Sequence, residues 1–516
     1  MTINRAFSGK ANVAANLASN IWTAAASIIF VPFYLRYIGV ESYGIIGIFA
    51  SLQAFIFLLD LGLSPAFNRE LARLSTSDGN AQVMHDLKRT LELPNWALAF
   101  LIAIFLAALS PLIARYWVRP ENLSVETVTQ ALVIISVTIA LQFSMNFYSG
   151  GMMGLQRQVL LGTINIFFTA FRSIGALLVL VYWSPSIGAF LAWQCFSVFL
   201  QITLTAFALR KSLPEVQLKG HFRKDLLINL KRFAAGMTAV SFLSLILTQT
   251  DKVILSRMLS LEMFGFYTLA VLIGGTAIGT LISSVTQAVY PRLSQLVAAG
   301  DETELEKFYH RSCQMVSVLA FPVAMILIFF AYEILLIWTR NERIAEQAHL
   351  LLSLVAAGTL LNSLLVMPYF LQLAHGTTRL LLIKSIVAII VLIPLIITGV
   401  SLYGAVGGAL GWVAINASYL MFAAPFLHRK VLPKGLMQWY VFDLFIPFAA
   451  SLATAATGKW LFGPEGIVGI LAVSMATLVL TALSTRAIRE QVMRILKRDL
   501  AQPSSKFAVD AQLRKK

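Results

Sequence analysis

Residues 11–38 read ANVAANLASNIWTAAASIIFVPFYLRYI, and this stretch decides the class of fold. It holds no acidic residue and one basic residue, Arg36, and it follows a short leader carrying Arg5 and Lys10. A basic leader ahead of an apolar run resembles a secretory signal. Yet the run outlasts the roughly 7–15 residues of a signal's apolar region and leads on into a second apolar stretch. A membrane-spanning helix takes about 20 mostly apolar residues, so 11–38 reads as the first span. Composition agrees: over 516 residues the chain is 58% hydrophobic and 12% charged, which leaves too little polar surface for a soluble globule.

The same criterion cuts the chain into fourteen spans, at 12–37, 43–65, 91–114, 127–150, 159–183, 186–209, 233–259, 264–290, 312–338, 347–373, 380–400, 403–427, 441–462 and 465–485. The expected fold is therefore all-α and polytopic. With the N-terminus inside, 31 of the 40 Lys and Arg fall in cytoplasmic segments, seven at the outer face, and Arg172 and Lys252 within spans. The positive-inside rule then puts both termini in the cytoplasm of an inner-membrane protein. The net charge of +16 is thus a topology signal and not a nucleic-acid footprint. Cys195 and Cys313 lie far apart without His or Cys at ligand spacing, so neither a disulfide framework, a metal site nor any cofactor is expected.

Sliding the chain along itself by 221 residues pairs Arg36, Glu41 and Gly44 with Arg257, Glu262 and Gly265. The same shift lays Trp117, Arg119 and Glu121 on Trp338, Arg340 and Glu342, and a shift of 219 lays Arg210 and Lys211 on Arg429 and Lys430. The chain is accordingly expected to divide into a six-helix lobe (1–209), a basic linker (210–232) and a second six-helix lobe (233–427). Two added spans (428–485) and a basic tail (486–516) follow. Six is even, so both halves enter the membrane from the same side as parallel repeats, and such halves enclose a substrate path.

Polar residues locate that path, because a hydroxyl or amide facing lipid is costly. Asn12, Asn16, Asn20, Thr23 and Ser27 follow three- and four-residue steps on one face of the first span. The repeat maps the last three onto Ser241, Ser244 and Thr248 in the seventh. Gln53, Asp60 and Ser64 form a similar stripe in the second span, and Asn165, Thr169 and Arg172 in the fifth. Lining a cavity is one reading; hydrogen bonding between packed helices is the other. Arg172 stands roughly 20 Å from the inner end of its span at 1.5 Å per residue. A guanidinium there costs at least ~2.5 kcal/mol, which makes function the default reading, with an ion pair to Asp60 the alternative. Asp251 and Lys252 are further charges within a span, expected to point about 100° apart. Their first-half counterparts are Phe30 and Val31, so the charge belongs to one half alone. Arg36 and Arg257 are read as snorkelling at the outer surface, and the six scattered histidines as solvated loop residues.

Leu59-Asp60-Leu61-Gly62-Leu63-Ser64 ahead of Arg69, and Gln249-Thr250-Asp251-Lys252-Val253-Ile254-Leu255-Ser256 leading into Phe264-Gly265-Phe266-Tyr267, resemble the polysaccharide transporter family. That family includes O-antigen flippases of the multidrug, oligosaccharidyl-lipid and polysaccharide exporter superfamily. The resemblance covers the whole chain. It implies a monomer of two lobes that alternates between cytoplasmic and periplasmic openings, with an undecaprenyl-diphosphate-linked oligosaccharide as cargo. It also implies membrane lipid around the tail, and contact with a polysaccharide polymerase and glycosyltransferases. Such cargo needs cations for its diphosphate and polar groups for its sugars. Arg172, Lys252, Asn16, Asn20, Ser241 and Thr248 supply these, and Asp251 and Asp60 offer carboxylates that can couple transport to H⁺ or Na⁺.

Other classes fit less well. Gly9-Lys10 and Gly458-Lys459 stand outside any phosphate-loop pattern, so an ATP-driven pump is not encoded. A membrane polymerase or ligase would carry a large outer loop with catalytic residues, whereas the outer loops here run to about a dozen residues or fewer. An ion-coupled multidrug antiporter shares the superfamily fold and stands as the alternative transporter.

Overall fold

A computed structural model describes the chain except for residues 1–2, 59–61, 77–78, 217–219, 226–244, 247, 377, 433–434, 464–465, 487–488 and 491–516. Among the described residues every regular element is helical. The first six helices are α1 (Ile3–Leu58), α2 (Leu63–Leu74), α3 (Ala81–Leu112), α4 (Val125–Gly154), α5 (Gln158–Tyr182) and α6 (Ile187–Ser212). Residues 248–258 form α7, followed by α8 (Leu261–Ala299), α9 (Glu302–Phe329), α10 (Ala331–Thr339), α11 (Glu342–Leu364) and α12 (Val366–Ala374). The chain continues through α13 (Thr378–Ser418), α14 (Ala424–Val431), α15 (Leu436–Leu461) and α16 (Gly466–Ser484).

Eleven described runs are long and apolar enough to cross a membrane, and two of these contain two spans each. The run Ala15–Ala54 has 40 residues. As one helix it would measure about 60 Å, twice the ~30 Å of hydrocarbon. Gly39, at φ 74° and ψ 169°, breaks it. Gly404, at φ 57° and ψ −137°, breaks α13. Around it Gly399 and Gly407 touch, although eight residues of continuous helix would hold them ~12 Å apart. Both glycines use a positive φ that a side chain would strain. These reversals recover the first and second, and the eleventh and twelfth, of the expected spans. Of the seventh, residues 233–244 and 247 lie outside the described residues.

Several helices outrun the apolar segments that announce them. α3 begins at Ala81, where the apolar run begins at 91, and buries Met84, Leu87 and Leu91 along one face. α9 begins at Glu302 instead of 312, its N-terminus capped by Asp301, whose side chain accepts the Glu304 N–H at 3.0 Å. Hydropathy marks the hydrocarbon boundary, while an amphipathic helix continues past it into water.

By packing, the chain forms two compact units. The first comprises Met1–Ile273, Trp338–Leu351 and Arg379–Trp412; the second comprises Gly274–Ile337, Leu352–Thr378 and Val413–Lys516. In the first unit α2 beds its Ser64, Phe67, Leu71 face on α4. The three α4 glycines Gly150, Gly151 and Gly154 admit it so closely that a methyl at 150 would sit 2.9 Å from the Ser64 carbonyl. Phe67 stacks on Phe147 at 4.4 Å. In the second unit α9 is the buried centre. α15 and α16 pack on it, joined to each other by a hydrogen bond between the Ser451 and Thr481 hydroxyls.

The repeat is visible as reciprocal contacts inside the first unit. Gly44 packs on the Leu261 carbonyl and Gly265 on the Val40 carbonyl, while Gly47 meets Thr268. Adding 221 turns 44 into 265, 40 into 261 and 47 into 268, so each contact maps onto its partner as across a two-fold axis. The equivalent tryptophans each bond into the other half as well, at positions that the shift does not interchange. Trp117 donates to Ser256 Oγ at 3.1 Å, and its equivalent Trp338 donates to the Ile28 carbonyl at 2.8 Å. Glu41 accepts the N–H groups of Glu121 and Asn122 at 2.6 and 3.0 Å, and its equivalent Glu262 pairs with Arg343 at 3.0 Å.

Candidate functional site

The polar faces of the first and fifth spans meet along their length in the first unit. Asn12 donates to the Gln156 carbonyl at 3.3 Å, Thr23 and Thr169 hydroxyls lie 3.5 Å apart, and Tyr34 donates to the Ser173 carbonyl at 2.9 Å. For Asn12 and Thr23 the packing alternative therefore applies. Asn16, half-buried, and Asn20, exposed, make no side-chain hydrogen bond to a described residue. Asn165 accepts from Gln201 at 3.0 Å, which ties α5 to α6.

Arg172 sits at this seam, partly covered. Its carbonyl accepts from Trp193 at 3.2 Å, and the next carbonyl along, that of Ser173, accepts from the Tyr34 hydroxyl. Among the described residues it forms no ion pair. Asp60, its candidate partner from sequence, lies outside the described residues, as do Ser241 and Ser244. Thr248 is exposed, its hydroxyl donating to the Leu245 carbonyl at 3.2 Å.

Asp251 is buried and accepts a 2.6 Å hydrogen bond from the Tyr267 hydroxyl. Lys252 Nζ approaches its other oxygen at 3.7 Å and donates to the Thr248 carbonyl at 2.8 Å. The expectation that these helix neighbours point apart is corrected here. The four-carbon lysine stem folds back over the turn to reach both acceptors. Lys252 is thereby the counter-ion of Asp251, with 23% of its side chain still exposed.

The second unit holds charges that the sequence reading passed over. His310 and His428, taken as solvated, are buried. Asp443, at the start of the thirteenth span, bonds through one oxygen to His310 Nδ1 and accepts from Gln314 Nε2 at 2.8 Å through the other. Tyr309 and His428 Nε2 lie 3.0 Å apart, and the His428 ring lies 4.7 Å from that of Trp439. Near the other end of α15, Lys459 pairs with buried Glu333 and lies 4.9 Å over the Phe330 ring. The rule that singles out Arg172, an ionisable group within a span, applies equally to Glu333 and Asp443. The histidines were legible only through the α9 extension before residue 312, which brings His310 into register with Gln314 one turn on.

Residues 10–297 match the family described as polysaccharide biosynthesis protein. The chain belongs to that family. Residues 237–398 also match the MatE family. The chain shares its fold with solved transporters. The chain is 15% identical to a lipid II flippase MurJ in an inward closed conformation, with a TM-score of 0.69, covering 95% of this chain and 99% of that one. It is likewise 15% identical to an inward-facing multidrug resistance MATE family transporter of the MOP superfamily, with a TM-score of 0.63, over 81% and 94% of the two chains. In sequence it is 22% identical over 434 residues to a protein of Shigella flexneri named "Putative O-antigen transporter", covering 82% of this chain and 97% of that one. The family and fold bear out the all-α polytopic architecture and make this a multi-pass inner-membrane protein.

Proposed function

We propose that the protein is a flippase. It carries an undecaprenyl-diphosphate-linked oligosaccharide from the cytoplasmic to the periplasmic leaflet by alternating access between its two repeats, for surface polysaccharide synthesis. It moves this cargo without chemical conversion, acting as a monomer alongside the polymerase and glycosyltransferases of the same route. The observation that carries the reading is Arg172, a guanidinium deep in a membrane span that no described carboxylate neutralises. A fixed planar fork of donors suits diphosphate oxygens. Farther along the polar face of the first span, Asn16 and Asn20 leave amide groups open, where lipid contact would be costly. Thr248 with Lys252, and Ser241 by its place in the repeat, extend that face for sugars and phosphate. The Shigella relative's name and the flippase among the structural neighbours point the same way.

The test is complementation in the host. Deleting the gene is expected to stop polymer production and to build up an undecaprenyl-linked unit in the cytoplasmic leaflet. Arg172→Met is expected to fail to complement at normal membrane level. Arg172→Lys is expected to restore part of the activity, because charge survives and the bidentate fork does not. Full complementation by Arg172→Met removes the diphosphate assignment. A deletion that changes drug sensitivity and leaves polymer intact favours the multidrug antiporter.

A further inference from the structure

Among the described residues, the three carboxylates buried in the expected spans differ in what neutralises them. Asp251 has Lys252 and Glu333 has Lys459, both ammonium partners. Asp443, with no exposed surface, has an imidazole. Only the third pairing sets a carboxylate against an imidazole, the side chain whose ordinary charge change falls in the physiological range.

Its surroundings define the ligand. One Asp443 oxygen faces His310 Nδ1 and the other receives the Gln314 amide, while the Asp443 carbonyl takes the Ser317 hydroxyl at 2.5 Å. With nitrogen donors on both oxygens, no oxygen shell is left for an alkali cation, so the site is built for H⁺. With Nδ1 facing the carboxylate, a neutral ring keeps its proton on Nδ1 and leaves Nε2 as the acceptor. That nitrogen is buried without a partner among the described residues. It looks toward Gly435, where a Cβ would stand 3.0 Å from Nε2 and 3.6 Å from a Glu306 oxygen. The missing side chain leaves both groups opening on the same space. Glu306 is only half-buried and lies one turn before His310, on the same face of α9.

The titratable groups around the pair are Glu306, Tyr309 and Cys313 on α9 and His428 on α14. Tyr309 engages His428, which turns its Nδ1 to the Ala424 carbonyl at 2.8 Å. From α15, Tyr440 is tied to the Leu420 carbonyl. From α12, Tyr369 lies against Phe370. α16 contributes hydroxyls only, Thr477 and Thr481. Among the described residues no lysine or arginine is paired with the site.

We propose that His310 and Asp443 form the proton-binding site that couples transport to a proton gradient, loaded from the cytoplasm through Glu306. A proton bonds to Nε2, the Nδ1–H bond breaks, and its proton passes to Asp443. The site goes from a carboxylate to a neutral acid, and the imidazole is left neutral with its proton on Nε2. The charge that α9 and α15 share thus changes by one. Coupling rests on the flippase reading, whereas proton binding does not.

Two measurements on the full-length protein in lipid separate them. In pH-difference infrared spectra, wild type minus Asp443→Asn is expected to show a carboxylic acid band that grows as pH falls from about 8 to 5. Its midpoint is expected to move in His310→Gln and, by less, in Glu306→Gln, both of which keep an uncharged hydrogen-bonding side chain. In proteoliposomes, flipping of a fluorescent polyprenyl-diphosphate-linked oligosaccharide is measured with and without an imposed pH gradient. The ratio of the two rates is expected to exceed one for wild type and to fall to one in Asp443→Asn and His310→Gln. Absence of a titrating Asp443 band overturns the proton site. A titrating band with a wild-type ratio in both variants overturns coupling. If wild type flips no probe under any condition, the flippase reading fails while the infrared result still decides proton binding.

Discussion

The reciprocal glycine contacts give the most direct handle on the transport cycle. At Gly44 an added Cβ would run into the Leu261 carbonyl, and at Gly265 into the Val40 carbonyl. In both places the obstacle is backbone, which has no rotamer to turn away, and the approach is far inside the ~3.5–4.0 Å of carbon van der Waals contact. Adding one methyl to a contact this tight costs about 1–3 kcal/mol. In a two-state carrier that whole cost falls on the state in which the surfaces touch. A penalty of about 1–3 kcal/mol shifts the equilibrium about 5- to 150-fold toward the separated state. Each of Gly44→Ala and Gly265→Ala is therefore expected to raise the rate at which an impermeant thiol reagent labels a cysteine at Asn20 from the periplasm. The background lacks Cys195 and Cys313. Because the two contacts are equivalent under the repeat, the two variants should shift by similar factors. Gly275→Ala, where a Cβ meets nothing within 4 Å, is the control and should leave labelling unchanged. Thermal stability measured in parallel separates opening from unfolding. If either variant is as stable as wild type and labels at the wild-type rate, these contacts do not part during transport and the reasoning fails.

Topology is checked by single cysteines: Glu121 and Glu342 should label from the periplasm, and Gln217 and Ser504 should not, so labelling at Ser504 would overturn the span count. Asp251→Asn should lower thermal stability by about 1–3 kcal/mol, because the Tyr267 hydroxyl and Lys252 both lose an ionised acceptor, while any response to pH or sodium gradients persists. A stable Asp251→Asn protein without that response would instead make Asp251 the coupling residue. Glu333→Gln should destabilise by a similar ~1–3 kcal/mol, less than a fully buried pair costs, since Lys459 is one-third exposed. The double change Glu333→Leu with Lys459→Met should recover most of the loss, and failure to recover would mean the pair is not what holds α15 there.

Much of the fold was legible because the membrane imposes one requirement on every segment. Any span must satisfy its own backbone, so apolar length alone announces it. The repeat was legible for a different reason: a two-fold exchange needs the same small residue at both ends, and Gly44 with Gly265 meets that need. What the one-dimensional pattern lacked was partner identity. Asp251 and Lys252 were separated by helical geometry, yet a flexible stem reaches back across the turn that rigid spokes would not. Asp443 and His310 are 133 residues apart in sequence, joined only because α9 reaches ten residues beyond its apolar run and lies against α15. Hydropathy discounts that reach as loop, and with it the histidine. The two added spans thus carry more than length: α15 brings a carboxylate and a lysine to opposite ends of the one helix most buried in its unit, and neither position has a counterpart in the repeat. Where the two halves match, at Gly44 with Gly265, the residues pack one half on the other. Where the match ends, at Asp251, Asp443 and Lys459, charge enters the membrane.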